Sequence, residues 1–155
     1  INSLRGFECS LRLVGAAGSA KDSATTVAWG VTGDRDDAID SIAVASIFRL
    51  ASGSAVNTVV IENDDTVNTN DDVATGFTLT DSVWAKFKID FSDLNDVKYY
   101  AGLATGQLAR VGNSTAMKMS SYAAGLQPFF QLQKTSDANT DALQIDYVRV
   151  WGVRL

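Results

Sequence analysis

The 155-residue sequence contains no histidine and a single cysteine, Cys9. The lack of histidine excludes Ser-His-Asp and Cys-His catalysis, histidine-bound metals and imidazole pH switches. A lone cysteine excludes an intrachain disulfide and the usual multi-cysteine zinc sites. Cys9 alternates with Phe7, Leu11 and Leu13, so we expect a buried and unreactive thiol.

Clustered positive charge and long apolar runs are also absent. The lysines and arginines are scattered through a chain of net charge −5, whereas the phosphates of nucleic acids require clustered positive charge. No apolar segment approaches the roughly 20 residues that cross a membrane, and no signal peptide opens the sequence. We therefore expect neither a nucleic-acid nor a membrane partner. The first residue is Ile1 rather than methionine, which leaves open a longer protein with an N-terminal arm.

Alternation with a period of two recurs along the chain, as in half-buried β-strands. "RGFECSLRLV" has one apolar and one polar face, and "VWAKFKIDF" places Phe87 and Ile89 opposite Lys86 and Lys88. The other strand candidates are "TVAWGV", "SIAVASIFRL", "NTVVIE", "VATGFTL", "DVKYYAG", "GQLARVG", "PFFQLQ" and "LQIDYVRVW".

Short strands separated by polar turns at this spacing predict an all-β fold. We expect a single-domain β-sandwich or jelly roll of two antiparallel sheets over residues 1–155. One stretch, residues 114–126, fits either a helical turn or a serine-rich loop.

The second half of the chain carries an ordered set of motifs. A strand led by Trp84 is followed by an Asp-rich turn and a strand containing Tyr99 and Tyr100; "GLQPFFQLQK" and the closing "LQIDYVRVW" come after them. Over residues 80–155 this order resembles the concanavalin A-like lectin and glucanase (laminin G-like) jelly rolls, and the first half resembles them only by strand pattern. The resemblance implies a concanavalin-like jelly-roll β-sandwich.

A closer resemblance links "IENDDTVNTNDDVATGFTLTDSVWAKFKIDFSDLNDVKYYAG" to concanavalin-like proteins encoded among tailed-phage structural genes. Ala101 stands where that group often has an aspartate. This resemblance implies a non-enzymatic virion structural protein, in the first place a capsid decoration (cement) protein that stabilises the outer shell of a tailed phage. The implied location is the outer capsid surface, and the implied partners are the major capsid protein and further copies in a homotrimer. The alternative is a lectin-like module of a phage tail or fibre that binds a surface glycan.

Sugar hydrolysis requires a pair of carboxyl groups about 5 Å apart in retaining enzymes. The glucanases that the chain resembles place two glutamates on one strand. Here "ENDDTV" supplies Glu62, but Thr66 or Val67 occupies the position of the second glutamate. The other glutamate of the sequence is Glu8, on a different strand. We therefore predict no catalytic residues and no enzymatic activity.

The aspartates form pairs and acidic loops. Asp36/Asp37 and Asp71/Asp72 are typical of turns, because aspartate bonds the local backbone there. The loops "GDRDDAID" and "ENDDTVNTNDD" offer oxygens to calcium, but neither has the EF-hand spacing, and a solvated loop is the alternative. The resemblance implies a structural calcium with Asp146 as one ligand. We assign no metal-binding or cofactor-binding residue and leave a structural calcium open.

Sugar binding without hydrolysis requires an exposed aromatic platform. The candidates are Trp29, Trp84, Trp151, Tyr99, Tyr100 and Tyr122. Alternation places Trp84 on the polar side of its strand, where it either covers an outer face or forms such a platform. Trp151 fits a sheet-end cap or a contact with a neighbouring subunit. Aromatic rings lining a groove favour the glycan-binding alternative, whereas a flat face with strand edges buried between subunits favours the coat protein.

Overall fold

The computed structural model describes residues 4–15, 21–50, 57–122, 124–135 and 140–152. These residues form ten strands: β1 (Leu4–Val14), β2 (Thr25–Thr32), β3 (Val44–Leu50), β4 (Thr58–Asp65), β5 (Thr69–Thr78), β6 (Ala85–Asp90), β7 (Lys98–Leu103), β8 (Ala109–Val111), β9 (Gln127–Lys134) and β10 (Ala142–Gly152). A 3-10 turn, Ile39–Ser41, lies between β2 and β3. Each predicted strand segment is confirmed, and the described part of 114–126 is loop rather than helix.

The strands form two antiparallel five-stranded sheets. Sheet A has the order β10-β1-β6-β7-β8, and sheet B has the order β5-β4-β3-β2-β9. The apolar side chains of both sheets meet in one shared core. The predicted all-β sandwich of two antiparallel sheets is therefore confirmed. Along the described part of the chain, no helix has the length and apolar character needed to traverse a bilayer.

The core follows from the period-two pattern, because alternate residues of each strand point to the same side. Phe87 of sheet A contacts Trp29 and Phe48 of sheet B, with ring centroids 4.8 and 5.0 Å apart. Burial of each such ring stabilises the fold by about 1.5–3 kcal/mol. Cys9 is fully buried in the same core, and burial raises the pKa of its thiol, as expected of an unreactive cysteine.

The outer face of sheet B is covered in part by the chain itself. Residues 33–43 pack on it, and Ile39 of the 3-10 turn joins Phe129 of β9 in a second apolar cluster. Asp40 of the same segment forms an ion pair with Arg49 of β3. This segment therefore covers part of the outer face of sheet B, and a cleft of about 320 Å³ beside Arg35 and Phe129 stays open there.

One prediction about the acidic pairs is wrong. Asp71 and Asp72 lie within β5, not in a turn, at a point where the pairing with β4 shifts register. The turn comes earlier, because the carboxylate of Asp65 accepts the backbone N–H of Asn68 at 2.7 Å. Asp36 does lie in a turn, where its carboxylate accepts the N–H two residues later.

Candidate functional site

The outer face of sheet A carries aromatic and charged side chains instead of an apolar cluster. These residues alternate with core residues along β1, β6, β7, β8 and β10, so they share one side of the sheet. We call this surface the sheet A face, and it is formed by Gly6, Glu8, Ser10, Arg12, Trp84, Lys86, Lys88, Asp90, Lys98, Tyr100, Arg110, Asp146, Tyr147, Arg149 and Trp151.

A row of side chains crosses all five strands of the sheet A face. Arg149 lies opposite Glu8, Glu8 opposite Lys88, Lys88 opposite Tyr100 and Tyr100 opposite Arg110. Directly opposed residues have Cβ atoms about 4.5–5.5 Å apart, so neighbours in such a row interact. The face therefore presents cations, a carboxylate and a phenol ring side by side.

Glu8, near the middle of this row, is held by Tyr147. The hydroxyl of Tyr147 donates a hydrogen bond to Oε1 of Glu8 at 2.6 Å. Burial and this hydrogen bond raise the pKa of Tyr147 to about 12. The phenol therefore keeps its proton at neutral pH, and Glu8 is fixed in orientation on the sheet surface.

Cations stack on the indole rings of this face. The guanidinium of Arg12 lies 4.9 Å from the ring centroid of Trp84, and that of Arg149 lies 5.7 Å from the centroid of Trp151. Nζ of Lys88 lies 5.8 Å from the same Trp151 ring. Exposed contacts of this kind contribute about 0.5–1 kcal/mol each, and they limit the positions of both partners.

Trp151 lies across the backbone of β1 at Gly6. A Cβ atom added to Gly6 would lie 2.1 Å from Cζ2 of Trp151, closer than any two non-bonded carbons approach. The indole can therefore rest on the sheet only because residue 6 has no side chain. This contact places Trp151 on the sheet A face, which the sequence alone left undecided.

A cleft of about 500 Å³ opens beside Trp84 at one end of the sheet A face. Its lining consists of Ser10, Val83, Trp84, Lys86, Leu103, Ala104, Thr105 and Asp146. Ligand pockets in proteins have volumes of about 300–1,000 Å³, with apolar walls and a few convergent polar groups. This cleft has both, since an indole wall stands beside an ammonium group, a carboxylate and hydroxyl groups.

Asp146 reaches the cleft because β10 contains a bulge. The register with β1 shifts between the pairs Ser10–Tyr147 and Leu11–Ile145, which leaves Asp146 as the extra residue. Bulges of this type redirect a side chain and are frequent beside binding sites. The apolar residues of the strand change from odd to even positions between Ile145 and Val148, and this change of phase is the local signal that could have located the bulge.

The structure separates the predicted aromatic candidates into two groups. Trp84, Tyr100 and Trp151 meet on the sheet A face, whereas Trp29 and Tyr99 are core residues with no more than 1% exposure. Buried rings cannot serve as a platform.

Two further aromatic residues, Tyr122 and Tyr147, belong to neither group of candidates. Tyr122 lies elsewhere, beside Gly33 at the end of β2. Tyr147 was not among the predicted candidates. Its spacing of two and four residues from Arg149 and Trp151 is the signal that places it with them.

The two glutamates lie on different sheets. Glu8 is on the sheet A face, and Glu62 is on the outer side of sheet B, bonded to Arg49 at 2.8 Å. Burial raises the pKa of Glu62, although the contacts with Arg49 oppose that shift. The two side chains cannot act on one substrate, so the fold builds no glutamate pair of the glucanase kind.

Among the described residues, no group of three or more histidine, cysteine, aspartate or glutamate side chains is placed to hold a metal ion. The calcium ligand that the resemblance implies, Asp146, lies in the cleft lining. Calcium binding stays a prediction.

No protein-family model and no curated protein matches the chain. Among solved structures, the fold is similar to a protein of unknown function from Shewanella oneidensis MR-1, with a TM-score of 0.56 at 15% identity over 97% of this chain and 58% of that one. It is also similar to scytalido-glutamic peptidase with a transition state analog inhibitor, with a TM-score of 0.53 at 11% identity over 99% of this chain and 79% of that one. The chain thus spans little more than half the length of the Shewanella protein. At these identities the likeness shows the β-sandwich fold alone.

The prediction that the chain is not an enzyme is wrong, because it took the scaffold and the composition as evidence against catalysis. A peptidase shares this fold with 11% identity, so the scaffold is one on which enzymatic activity occurs. The sequence argument excluded histidine-based catalysis and a glutamate pair of the glucanase kind, and these two exclusions do not cover every kind of catalysis.

Proposed function

We propose that the sheet A face binds a carbohydrate chain and that the cleft beside Trp84 holds one sugar unit. The observation that carries this proposal is the combination, within one cleft, of an indole wall with Lys86, Asp146 and the hydroxyl of Ser10. The glycan-binding alternative from the sequence is thereby favoured, because it required aromatic rings lining a groove.

The chemistry of the cleft matches that of a sugar ring. The C–H face of a sugar is apolar and packs on an aromatic ring, while its hydroxyl groups both donate and accept hydrogen bonds. The ammonium group of Lys86 donates, the carboxylate of Asp146 accepts, and the hydroxyl of Ser10 does either. An apolar ligand would leave these groups unsatisfied, at a cost of about 1–3 kcal/mol for each one buried.

The length of the sheet A face suits an oligosaccharide better than a single sugar. Arg12, beside Trp84, and Gly6, beneath Trp151, are both on β1, and a strand rises about 3.3 Å per residue, so the two indoles mark a strip about 20 Å long. Tyr100 and Tyr147 lie between them. A chain of sugars along this strip would contact aromatic rings at both ends.

Replacement of Trp84 by alanine tests this proposal. We expect the affinity for the best-bound oligosaccharide of a glycan panel to fall about ten- to a hundred-fold, because burial of an aromatic side chain contributes about 1.5–3 kcal/mol. Isothermal titration calorimetry gives the affinity, and reducing-end release in the same samples shows whether the bound glycan is cleaved. Trp84→Phe keeps a ring and should retain most of the affinity.

The matched control removes an aromatic residue outside this surface, as in Tyr122→Ala. It should leave the affinity unchanged if the variant remains folded by circular dichroism. Equal affinity of the Trp84→Ala variant and the wild type, or no glycan bound by either, would refute the proposal.

We propose a second function, an assembly component such as a capsid decoration protein, on a separate observation. Ile145, Val148 and Val150 of β10 point toward the core side of sheet A, yet each is 42–43% exposed. β10 is an edge strand, and apolar edges of this kind favour association with another chain. The implied homotrimer, the major capsid protein as partner and the outer capsid location rest on the phage resemblance.

Val148→Lys tests the assembly proposal, because a charge in an apolar contact between copies is strongly unfavourable. If the edge joins copies, the wild type should sediment as an oligomer and the variant as a monomer. Val67→Lys is the control, since Val67 is 73% exposed in the β4–β5 turn and should tolerate lysine. A monomeric wild type, or an oligomer unaffected by Val148→Lys, would count against this function.

A further inference from the structure

Charge is distributed unevenly between the two sides of the sandwich. The chain as a whole has a net charge of −5. The sheet A face nevertheless carries Arg12, Lys86, Lys88, Lys98, Arg110 and Arg149 against Glu8, Asp90 and Asp146. The segment over sheet B and the strands β3, β4 and β5 carry Asp34, Asp36, Asp37, Asp40, Glu62, Asp64, Asp71 and Asp72 against Arg35 and Arg49. Such a distribution directs an anionic ligand to the sheet A face and repels it from the opposite side.

Two arginine–tryptophan pairs stand at the two ends of this face. Arg12 stacks on Trp84, and Arg149 stacks on Trp151. Within the described residues neither arginine forms an ion pair, although Glu8 lies opposite Arg149 on the neighbouring strand. The one side-chain bond of Arg12 uses its Nε, which donates to Gln144 at 2.8 Å. A guanidinium that stacks on a ring keeps its N–H edge free, and that edge binds a carboxylate through two parallel hydrogen bonds.

Lysines occupy the space between the two pairs. Lys86 lines the cleft and makes no ion pair within the described ranges, whereas Lys88 forms one with Asp90 at 3.7 Å. Lys86 is therefore a cation in the lining of the cleft that forms no ion pair with a described residue, although Asp146 lines the same cleft. An anionic group on a bound ligand would supply a partner for it.

We propose that the ligand of the sheet A face is an acidic polysaccharide whose sugar units carry carboxylate groups, that is, a polyuronate. This inference rests on the proposed glycan-binding function and adds the charge of the ligand. Trp84 and Trp151 stack on sugar rings, and Arg12, Lys86 and Arg149 bind the carboxylates beside them. Each arginine–tryptophan pair thus forms one site for an acidic sugar.

Two of the three acidic side chains of the face argue for an acidic glycan over a nucleic-acid strand. Glu8 lies in the row of side chains that crosses the five strands, and Asp146 lies in the cleft. Both therefore place negative charge among the lysines and arginines of the sheet A face. A DNA backbone is a continuous series of phosphates without hydroxyl donors, and these carboxylates would repel it. A uronic acid carries hydroxyl groups that donate to them, along with the carboxylate that the cations require.

The test compares an acidic oligosaccharide with its uncharged counterpart and with a nucleic-acid strand. The full chain is titrated with oligogalacturonate, with the same oligosaccharide after its carboxyl groups have been reduced to alcohols, and with oligothymidylate of similar length. We expect the oligogalacturonate to bind about ten-fold or more tightly than its reduced form, with an affinity that falls as salt is added. Oligomannuronate serves as a second acidic probe of different stereochemistry.

Single substitutions then assign the charge recognition to the sheet A face. Arg149→Gln and Lys86→Gln should each weaken oligouronate binding about five- to ten-fold in proteins that remain folded by circular dichroism, and should weaken binding of the reduced oligosaccharide by a clearly smaller factor. Lys118→Gln, an exposed cation on the loop before β9, is the matched control and should have no effect.

Each outcome is decisive. Equal binding of the acid and reduced forms, or binding of neutral glycans alone, would overturn the polyuronate inference and leave the glycan-binding function in place. Binding of oligothymidylate in preference to both would overturn the inference in favour of a nucleic-acid ligand. Absence of any glycan binding would remove the proposed function together with the inference.

Discussion

Replacement of Gly30 by alanine is expected to lower the free energy of unfolding by about 2–5 kcal/mol, which is a large part of the stability of an ordinary domain. Gly30 has a φ of 148°, a backbone conformation that residues with a side chain rarely adopt. An added Cβ would lie 2.5 Å from the carbonyl oxygen of Ser46 and 2.8 Å from Cα of Ile47. Both atoms belong to the backbone of β3, so they cannot move away without disturbing the pairing of β2 with β3.

Urea denaturation followed by circular dichroism measures this effect. Gly125→Ala is the matched control, since no heavy atom lies within 4 Å of the Cβ position at Gly125. We expect that variant to remain within about 0.5 kcal/mol of the wild type. A Gly30→Ala protein as stable as the Gly125→Ala protein would show that β2 and β3 tolerate a side chain between them.

Replacement of Asp65 by alanine is expected to destabilise the fold by about 2–4 kcal/mol, because it removes a buried carboxylate that accepts hydrogen bonds from several partly buried N–H donors. The fully buried carboxylate accepts the backbone N–H groups of Asn68 at 2.7 Å, Ser121 at 2.9 Å and Val67 at 3.1 Å. It thereby joins the β4–β5 turn to the loop before β9. Asp36→Ala removes an exposed turn aspartate and should cost less than about 1 kcal/mol.

The same aspartate predicts how stability changes with pH. Burial alone would raise the pKa of Asp65, but the hydrogen bonds from Asn68 and Ser121 hold it below its ordinary value. A lowered folded-state pKa gives stability that is present above the unfolded pKa of about 3.9 and is lost as the pH falls through the folded value.

The comparison of two variants isolates this contribution. Asp65→Asn keeps one acceptor oxygen but cannot titrate, so its stability should fall less steeply than that of the wild type below about pH 4. Urea midpoints between pH 2 and pH 7 measure the difference. Parallel pH profiles would mean that the acid sensitivity comes from other carboxyl groups.

The fold could be predicted from the sequence because its signals are local. Each strand alternates apolar and polar residues over its own length, and turn residues separate the strands. Asp71 and Asp72 are the instructive exception. Two adjacent aspartates satisfy the local requirements of a turn, but the pairing of β5 with β4 is a long-range interaction, and it overrides that preference.

The site could be predicted only in part. Alternation assigns a residue to one side of its strand, but it does not show whether that side faces the core or the solvent. Trp84 was correctly placed with the lysines of β6. The sequence could not show that Trp29 lies in the core and Trp151 on the sheet A face, since this depends on which faces of the two sheets meet in the core. The covering of sheet B by residues 33–43 is likewise a tertiary contact with no periodic signal.

The bulge in β10 joins two halves of the strand in which the apolar residues alternate with opposite phase. Ile145 lies at an odd position and Val148 and Val150 at even ones, yet all three face the core side of sheet A, because Asp146 is counted out of the pairing. Regular pairing through this point would turn Tyr147, Arg149 and Trp151 inward. The sequence of this strand and the presence of a carboxylate in the cleft are therefore one constraint: deletion of Asp146 would remove the bulge and the acid together, and it would leave the faces of Tyr147, Arg149 and Trp151 unchanged.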